Sequence, residues 1–284
     1  MIISQIAEDE LKEKNPKAFE RAIEVLKPLR RFFYENEDSI IESSLIPDHI
    51  KDEHFHFMAN SHAVLDLIAY KNSTPISIPS YLSNDSRDTL KMIENVFKEP
   101  TSTKQVPPHL VKSLLLRYAI HIIGDLHQPL HVVSMWSDKY KGGIFKNGDI
   151  GGYKVSLENQ GSGVSNLHTF WDSAGLGYSQ RFPTPLNHQD KQYIKSIADK
   201  LKTKFNDEHN DNQSEDWSLQ KLEEEISEIA RIGENDVYSE IESFPRVPKN
   251  YITKSRKTCE RLMVVGGKRL ARMLIHFFKL EKSI

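Results

Sequence analysis

The chain has 284 residues, enough for one large domain or two small ones and for a sizeable buried core. Lys+Arg 38 against Asp+Glu 40 leaves a formal net charge of -2, which excludes tight nucleic-acid binding through a basic surface alone. The single cysteine, Cys259, excludes an internal disulfide framework, and no apolar run approaches the roughly 20 residues that span a bilayer. The first residues, MIISQIAEDEL, carry no signal-peptide profile. Ala18, Phe19, Ala22, Ile23, Leu26 and Leu29 stand at helical spacing and predict a helix over 17–33. Residues 72–84 read as a loop. A helix over 86–98 starts at Ser86 with Asp88 in its first turn, runs through Leu90, Ile93 and Phe97, and stops before Pro100. After Pro107–Pro108, the segment from Leu110 to about Leu126 is apolar around much of its circumference, the mark of a central, buried helix. The one β-like passage is 143–157, GIFKNGDIGGYKVSL, a short hairpin or loop in which GDIGG separates brief apolar runs. Helical patterns return over 189–205, 215–232 and 252–281, with a polar loop at 206–214. No repeat or low-complexity linker interrupts the chain. The expectation is a single all-α domain over residues 1–284.

Residues 121–131, HIIGDLHQPLH, concentrate three histidines and an aspartate. His121 and Asp125 are four apart, so a helix puts both on one face. Ala119, Ile120, Ile122 and Ile123 surround them with apolar surface, where ionisable groups are costly unless paired or bound to metal. His131 would lie about 280° from His121 on a continuous helix of about 100° per residue, and Pro129 favours a bend. It therefore points elsewhere, and one segment can serve two neighbouring positions. His168 and Asp172 in NLHTFWDSAG repeat the four-residue spacing. Either pair alone is a common helix-stabilising motif. Two pairs and His131, in a chain with one cysteine, suggest a nitrogen and oxygen ligand set for zinc. His127 reads as structural, and Asp149 in GDIGG as a turn residue, with support of a metal ligand as the other reading.

HIIGDLHQPLH, NGDIGG and NLHTFWD, in that order, resemble the signature of the zinc-dependent single-strand nucleases. This is the family of the fungal enzymes S-one and P-one and of the plant bifunctional nucleases, which shares its fold with bacterial zinc phospholipase C. The likeness continues through IAEDEL, DWSLQKLEEEISEIA at 216–230 and GGKRLARML at 266–274, and covers essentially the whole chain. It implies a compact multi-helix domain of the phospholipase C/P-one nuclease type. In SLIPDHIKDEHFHFMANSHAVLD it implies Asp48 and His62 as ligands that join His121 and Asp125 at a first zinc. His49, His54 and His56 have the wrong spacing and read as exposed loop residues. His131, His168 and Asp172 match the ligands of a separate zinc with one coordination position open. Lys51 corresponds to a basic side chain aimed at the phosphate, and Asp125 to a carboxylate that bridges two zincs at the reacting centre.

The family pattern breaks at the start of the chain. Relatives open with a tryptophan whose amino group and carbonyl bind a third zinc, joined by a histidine five residues later, and neither is present here. The expectation is an internal methionine at position 1, with W-G-x-x-G-H and a signal peptide encoded upstream and weak activity for the chain as written. Ala63 and Tyr153 also depart, standing where relatives often have an aromatic ring and an asparagine. The resemblance implies hydrolysis of single-stranded DNA or RNA to 5′-phosphorylated products, with 3′-nucleotidase activity on mononucleotides. It also implies a monomer without a membrane partner, secreted or lysosomal/vacuolar for the full-length parent. Two other readings are a phospholipase C-like phosphodiesterase and a non-catalytic helical protein stabilised by zinc.

Overall fold

The computed structural model describes residues 1–36, 38–52, 60–69, 84–99, 106–138, 140, 143–158, 163–205, 216–240 and 244–281. His54 and His56, the 206–214 loop and nearly all of the 72–84 loop lie outside these. In chain order the helices are α1 (Ile2–Lys14), α2 (Pro16–Leu26), α3 (Arg30–Phe33), α4 (Ile46–Asp52), α5 (Ser86–Lys98), α6 (Pro108–Asp125), α7 (Pro129–Val132), α8 (Leu167–Asp172), α9 (His188–Lys204), α10 (Leu219–Ile232) and α11 (Lys249–Leu280). Two four-residue strands, β1 (Asp66–Ala69) and β2 (Val133–Trp136), pair in parallel. The fold is all-α, as the periodicity predicts.

Capping chemistry sets the helix starts. The Asn15 side chain accepts from the Ala18 amide at 3.1 Å while Pro16 opens α2. Asp85 takes the amide of Arg87 at 2.8 Å for α5, and Asn166 that of Thr169 at 2.9 Å for α8. The helix expected over 17–33 is broken by a 3-10 turn at Lys27–Leu29, where Pro28 has no N–H for the continuing ladder. Helix α1 carries a weak periodic signal because its buried face includes Ser4, Gln5 and Glu8. The 143–157 passage takes the loop alternative, and its only strand-like pairings among the described residues are the isolated bridges Ser137–Phe145 and Ser156–Asn166. The strands lie elsewhere, and β2 is buried at every position, so it shows no alternation.

Helix α6 is central: Leu116, Ala119, Ile120, Ile122 and Ile123 are fully buried. The 32-residue α11, about 48 Å long at 1.5 Å per residue, runs past it and against α1. Gly267 permits that contact, since a Cβ there would sit 2.5 Å from the Ile6 Cβ. One element positions the site directly. The β1–β2 register pairs Asp66 with Val133, and the Val64 amide bonds the His131 carbonyl at 2.8 Å. That ladder fixes the backbone after His62 beside the backbone around His131.

Candidate metal centre

Four separate stretches of chain meet at the C-terminal end of α6. His121 and Asp125 lie one turn apart, with Nε2 to Oδ2 at 2.8 Å. His121 Nδ1 donates to the Ser44 carbonyl at 2.6 Å, which leaves Nε2 as the ring atom turned toward Asp125 and His62. His62 Nδ1 lies 2.8 Å from His121 Nε2, 3.2 Å from Asp125 Oδ2 and 3.6 Å from Asp48 Oδ1. Asp48, on α4, reaches His121 Nε2 at 3.8 Å and holds the Lys51 ammonium at 2.7 Å. His62 Nε2 is buried and makes no hydrogen bond among the described residues, an uncommon condition outside functional sites.

The second group sits beside the first. Gln128 caps α7 and Pro129 opens it, turning His131 away from the axis of α6. His131 Nδ1 donates to the His62 carbonyl at 2.8 Å, leaving Nε2 3.7 Å from Asp172 Oδ1. On α8, His168 Nδ1 donates to the Gly151 carbonyl at 2.7 Å and Nε2 faces Asp172 Oδ2 at 3.5 Å. Asp125 joins the two groups, since its Oδ2 is also 3.7 Å from His131 Nδ1. Asp48, His62 and His121 thus form one candidate metal group, and His131, His168 and Asp172 another, each with donor atoms within 4.8 Å of one another. Three of the four imidazoles are oriented by a main-chain carbonyl, the arrangement that fixes the tautomer of metal-binding histidines.

Electrostatics follow from this crowding. Burial alone would raise Asp125, but His121 and His131 outweigh it and hold the carboxyl well below its usual range. Asp48 and Asp172 are also lowered against burial, by His121 and Lys51 in one case and by His131 and His168 in the other. Burial depresses His62 and His168 despite their carboxylates. In His131, Asp125 and Asp172 overcome burial and raise the ring to about 9. The centre therefore combines ionised carboxylates with imidazoles of both tendencies, a donor set suited to a divalent cation.

The sequence matches the S1/P1 nuclease family from residue 1 to residue 279. The chain belongs to that family. It is accordingly a phosphodiester-cleaving hydrolase whose substrate class is nucleic acid. No curated protein matches the chain. No helix among the described residues is long and apolar enough to cross a membrane.

In this nuclease, residues outside the predicted ligand set hold the centre in shape. Asp149 is a fully buried hub instead of a simple turn residue. Its carboxylate accepts from Ser134 Oγ at 3.0 Å, the Met135 amide at 2.9 Å and the Tyr238 hydroxyl at 2.8 Å. Burial raises its carboxyl against these bonds. The hub anchors the loop whose Gly151 carbonyl orients His168. Gly151, at φ +55°, passes so close to the Leu130 carbonyl that a Cβ would lie 2.2 Å from its oxygen. Gln128 steadies Asp172 through Nε2 to Oδ1 at 2.8 Å. Sequence reasoning passed over Gln128; its place before a helix-opening proline was the available signal. His127 is structural, as expected: Nδ1 bonds the Ile123 carbonyl at 2.7 Å, Nε2 meets Arg269, and burial beside that cation lowers the ring to about 3. His49 is exposed, as expected, but it stands on α4 instead of in a loop.

A cavity of about 590 Å³ opens beside the candidate centre, with Asp48, Lys51 and Asp172 on its wall beside Met1, Tyr178 and Phe182. The Met1 amine is buried here and pushed down to about 6, with Asp125 and Asp48 opposing the shift. The two candidate groups therefore share a cleft.

Proposed function

We propose that this nuclease is a zinc-dependent endonuclease that cuts single-stranded DNA or RNA, leaves 5′-phosphates and also acts as a 3′-nucleotidase. The observation that carries this reading is Asp125, whose Oδ2 stands 2.8 Å from His121, 3.2 Å from His62 and 3.7 Å from His131, between the two candidate groups. We assign Asp48, His62, His121 and Asp125 to one zinc position, and His131, His168 and Asp172 to a second that keeps a coordination place open. When bound, zinc supplies Lewis-acid polarisation of phosphoryl oxygens and activation of water.

The side chains supply the rest. Asp125 stays ionised and orients His121 and His62 toward a common point. Lys51, one turn past Asp48 at the cleft wall, exchanges its carboxylate partner for a phosphate oxygen and so positions the strand. Cation charge in the cleft explains how a chain of net charge -2 holds a polyanion. Selectivity for single strands follows because a paired base is buried in its stack and cannot enter the cleft. We extend the reading to a monomer that works outside the cytosol, on the family resemblance.

The test is hydrolysis of matched single-stranded and duplex oligonucleotides by zinc-loaded and chelator-treated protein, with end-group analysis of the products. Faster cleavage of the single strand, 5′-phosphate ends and loss on chelation are expected. Cleavage that ignores zinc, or hydrolysis of phospholipid vesicles in preference to strands, would overturn the assignment.

A further inference from the structure

We propose that the notch between α10, the π turn that follows it and α11 binds a phosphate group of a nucleic-acid strand, at a second place away from the metal centre. This inference uses the family's nucleic-acid substrate and is independent of the zinc assignment. A cavity of about 320 Å³ opens at the notch, and none of its wall residues lines the cavity of about 590 Å³ beside the centre. Arg231, in the last turn of α10, and Arg261, on α11, both stand on its wall. Arg231 is exposed and Arg261 half-buried, and neither guanidinium has an ion pair or hydrogen bond among the described residues. Two like charges on one wall repel each other, and an anion between them removes that cost.

The carboxylates of the same wall do not answer this charge. Glu228 is held by Arg269 at 2.5 Å, and Asp236 by Lys254 at 3.0 Å and by the Thr258 hydroxyl at 3.3 Å. Each already has its own cation, so Arg231 and Arg261 are left uncompensated. Asn235 adds an exposed side-chain amide without a hydrogen bond among the described residues, a neutral donor on the same wall. Guanidinium forks match the paired oxygens of a phosphate. The substrate class supplies such an anion at every nucleotide, and each of the two free oxygens of a phosphodiester can take one fork.

The notch owes its shape to a backbone irregularity. Gly233–Val237 forms the π turn, closed by the Tyr238 amide on the Gly233 carbonyl at 3.2 Å. The extra residue bulges Asn235 and Asp236 out of the line of α10, a distortion frequent at functional sites. The inner side of the turn is anchored. A Cβ on Gly233 would sit 2.4 Å from Val133 Cγ2, and the Tyr238 hydroxyl reaches the Asp149 hub at 2.8 Å. The donors therefore stand on backbone braced against the support of the second metal group and are in place before a strand arrives, which lowers the ordering cost of binding.

The experiment measures binding of a long thymidine strand, phosphorothioate-linked to slow cleavage, to zinc-loaded full-length protein. Fluorescence anisotropy over a salt series compares the parent with the double variant Arg231→Gln/Arg261→Gln. The variant should bind about 10- to 100-fold less tightly at low salt, as expected for losing charge-assisted hydrogen bonds to one phosphate. The slope of log affinity against log salt should become shallower by about 0.7, the share of one single-strand phosphate contact. The rate on a thymidine dinucleotide, too short to place a phosphate in the notch while another is held at the centre, should not change. Arg231→Lys/Arg261→Lys keeps the charge and should keep the parent slope. An unchanged slope and affinity in the Gln variant overturns the proposal and leaves the nuclease reading intact. A dinucleotide rate that falls as far as strand affinity would make the two arginines supports of the fold and also overturns it. Calorimetry with inorganic phosphate separates the two sources of the anion: phosphate binding lost in the Gln variant, with strand affinity unchanged, would give the notch to free phosphate and overturn its assignment to a strand. A parent that hydrolyses neither substrate yet shows the slope change loses the nuclease reading and keeps this one.

Discussion

The two candidate metal groups use the same residue types on different backbones. Asp48 and His121 stand on α4 and α6, and His62 is tied in by the β1–β2 ladder, so the first group rests on the core. His131 and His168 stand on helices of four and six residues, and His168 takes its orientation from a loop carbonyl. Their electrostatics run in parallel. In each group burial depresses one ring, His62 or His168, while carboxylates lift the other, His121 through Asp125 and Asp48 and His131 to about 9 through Asp125 and Asp172. Identical ligand chemistry can therefore be held by a rigid core or by a short, bonded loop. The second arrangement depends more on its supporting residues.

Asp125 belongs to both groups, and changing it has the largest expected effect. Asp125→Ala should lower hydrolysis of single-stranded DNA by well over the roughly 10–100-fold typical of losing a supporting partner, and should reduce zinc uptake at both positions. Selective loss at one position, measured by competition with a chelator, would break the picture of a shared carboxylate. Asp149→Asn tests the asymmetry. It should weaken zinc at the His131, His168 and Asp172 group by about 10–100-fold and leave the first group close to normal. Equal weakening of both would mean that the hub supports the whole fold instead of one loop.

The pH dependence tests the charge carried by the second group. In metal-free protein His131 is protonated below about 9, and zinc needs the neutral ring, so binding there displaces a proton. Affinity at the second group should rise about tenfold per pH unit from neutrality until it flattens near pH 9, and calorimetry in buffers of different ionisation enthalpy should detect the released proton. No release at pH 7 would contradict the raised His131. The smallest effect is at Lys51: Lys51→Ala should raise KM for strands by about 1.5- to 5-fold, the size of one partly exposed ion pair, with kcat nearly unchanged. A larger fall in kcat than in affinity would assign Lys51 to the chemistry itself.

Much of this was legible in the chain. Regular spacing announced α5, α9, α10 and α11, because each buries an apolar face with period near 3.6, and a nearly continuous apolar surface announced α6. The HxxxD pairs fixed which side chains could meet within a helix. Three features stayed hidden for physical reasons. Helix α1 buries polar side chains, β2 is buried all round and shows no alternation, and Asp149 looks like any turn residue until its partners Ser134 and Tyr238 arrive from distant sequence. The convergence of His62 with His131 depends on a parallel ladder between segments 67 residues apart, which no local pattern encodes.

The position of bound zinc is the most direct test. An anomalous difference map at the zinc edge, from crystals of the zinc-loaded protein, locates it directly. The expected result is a pair of peaks flanking Asp125, one reached by Asp48, His62 and His121, the other by His131, His168 and Asp172. Zinc only at exposed histidines such as His49, with nothing at the end of α6, would contradict it.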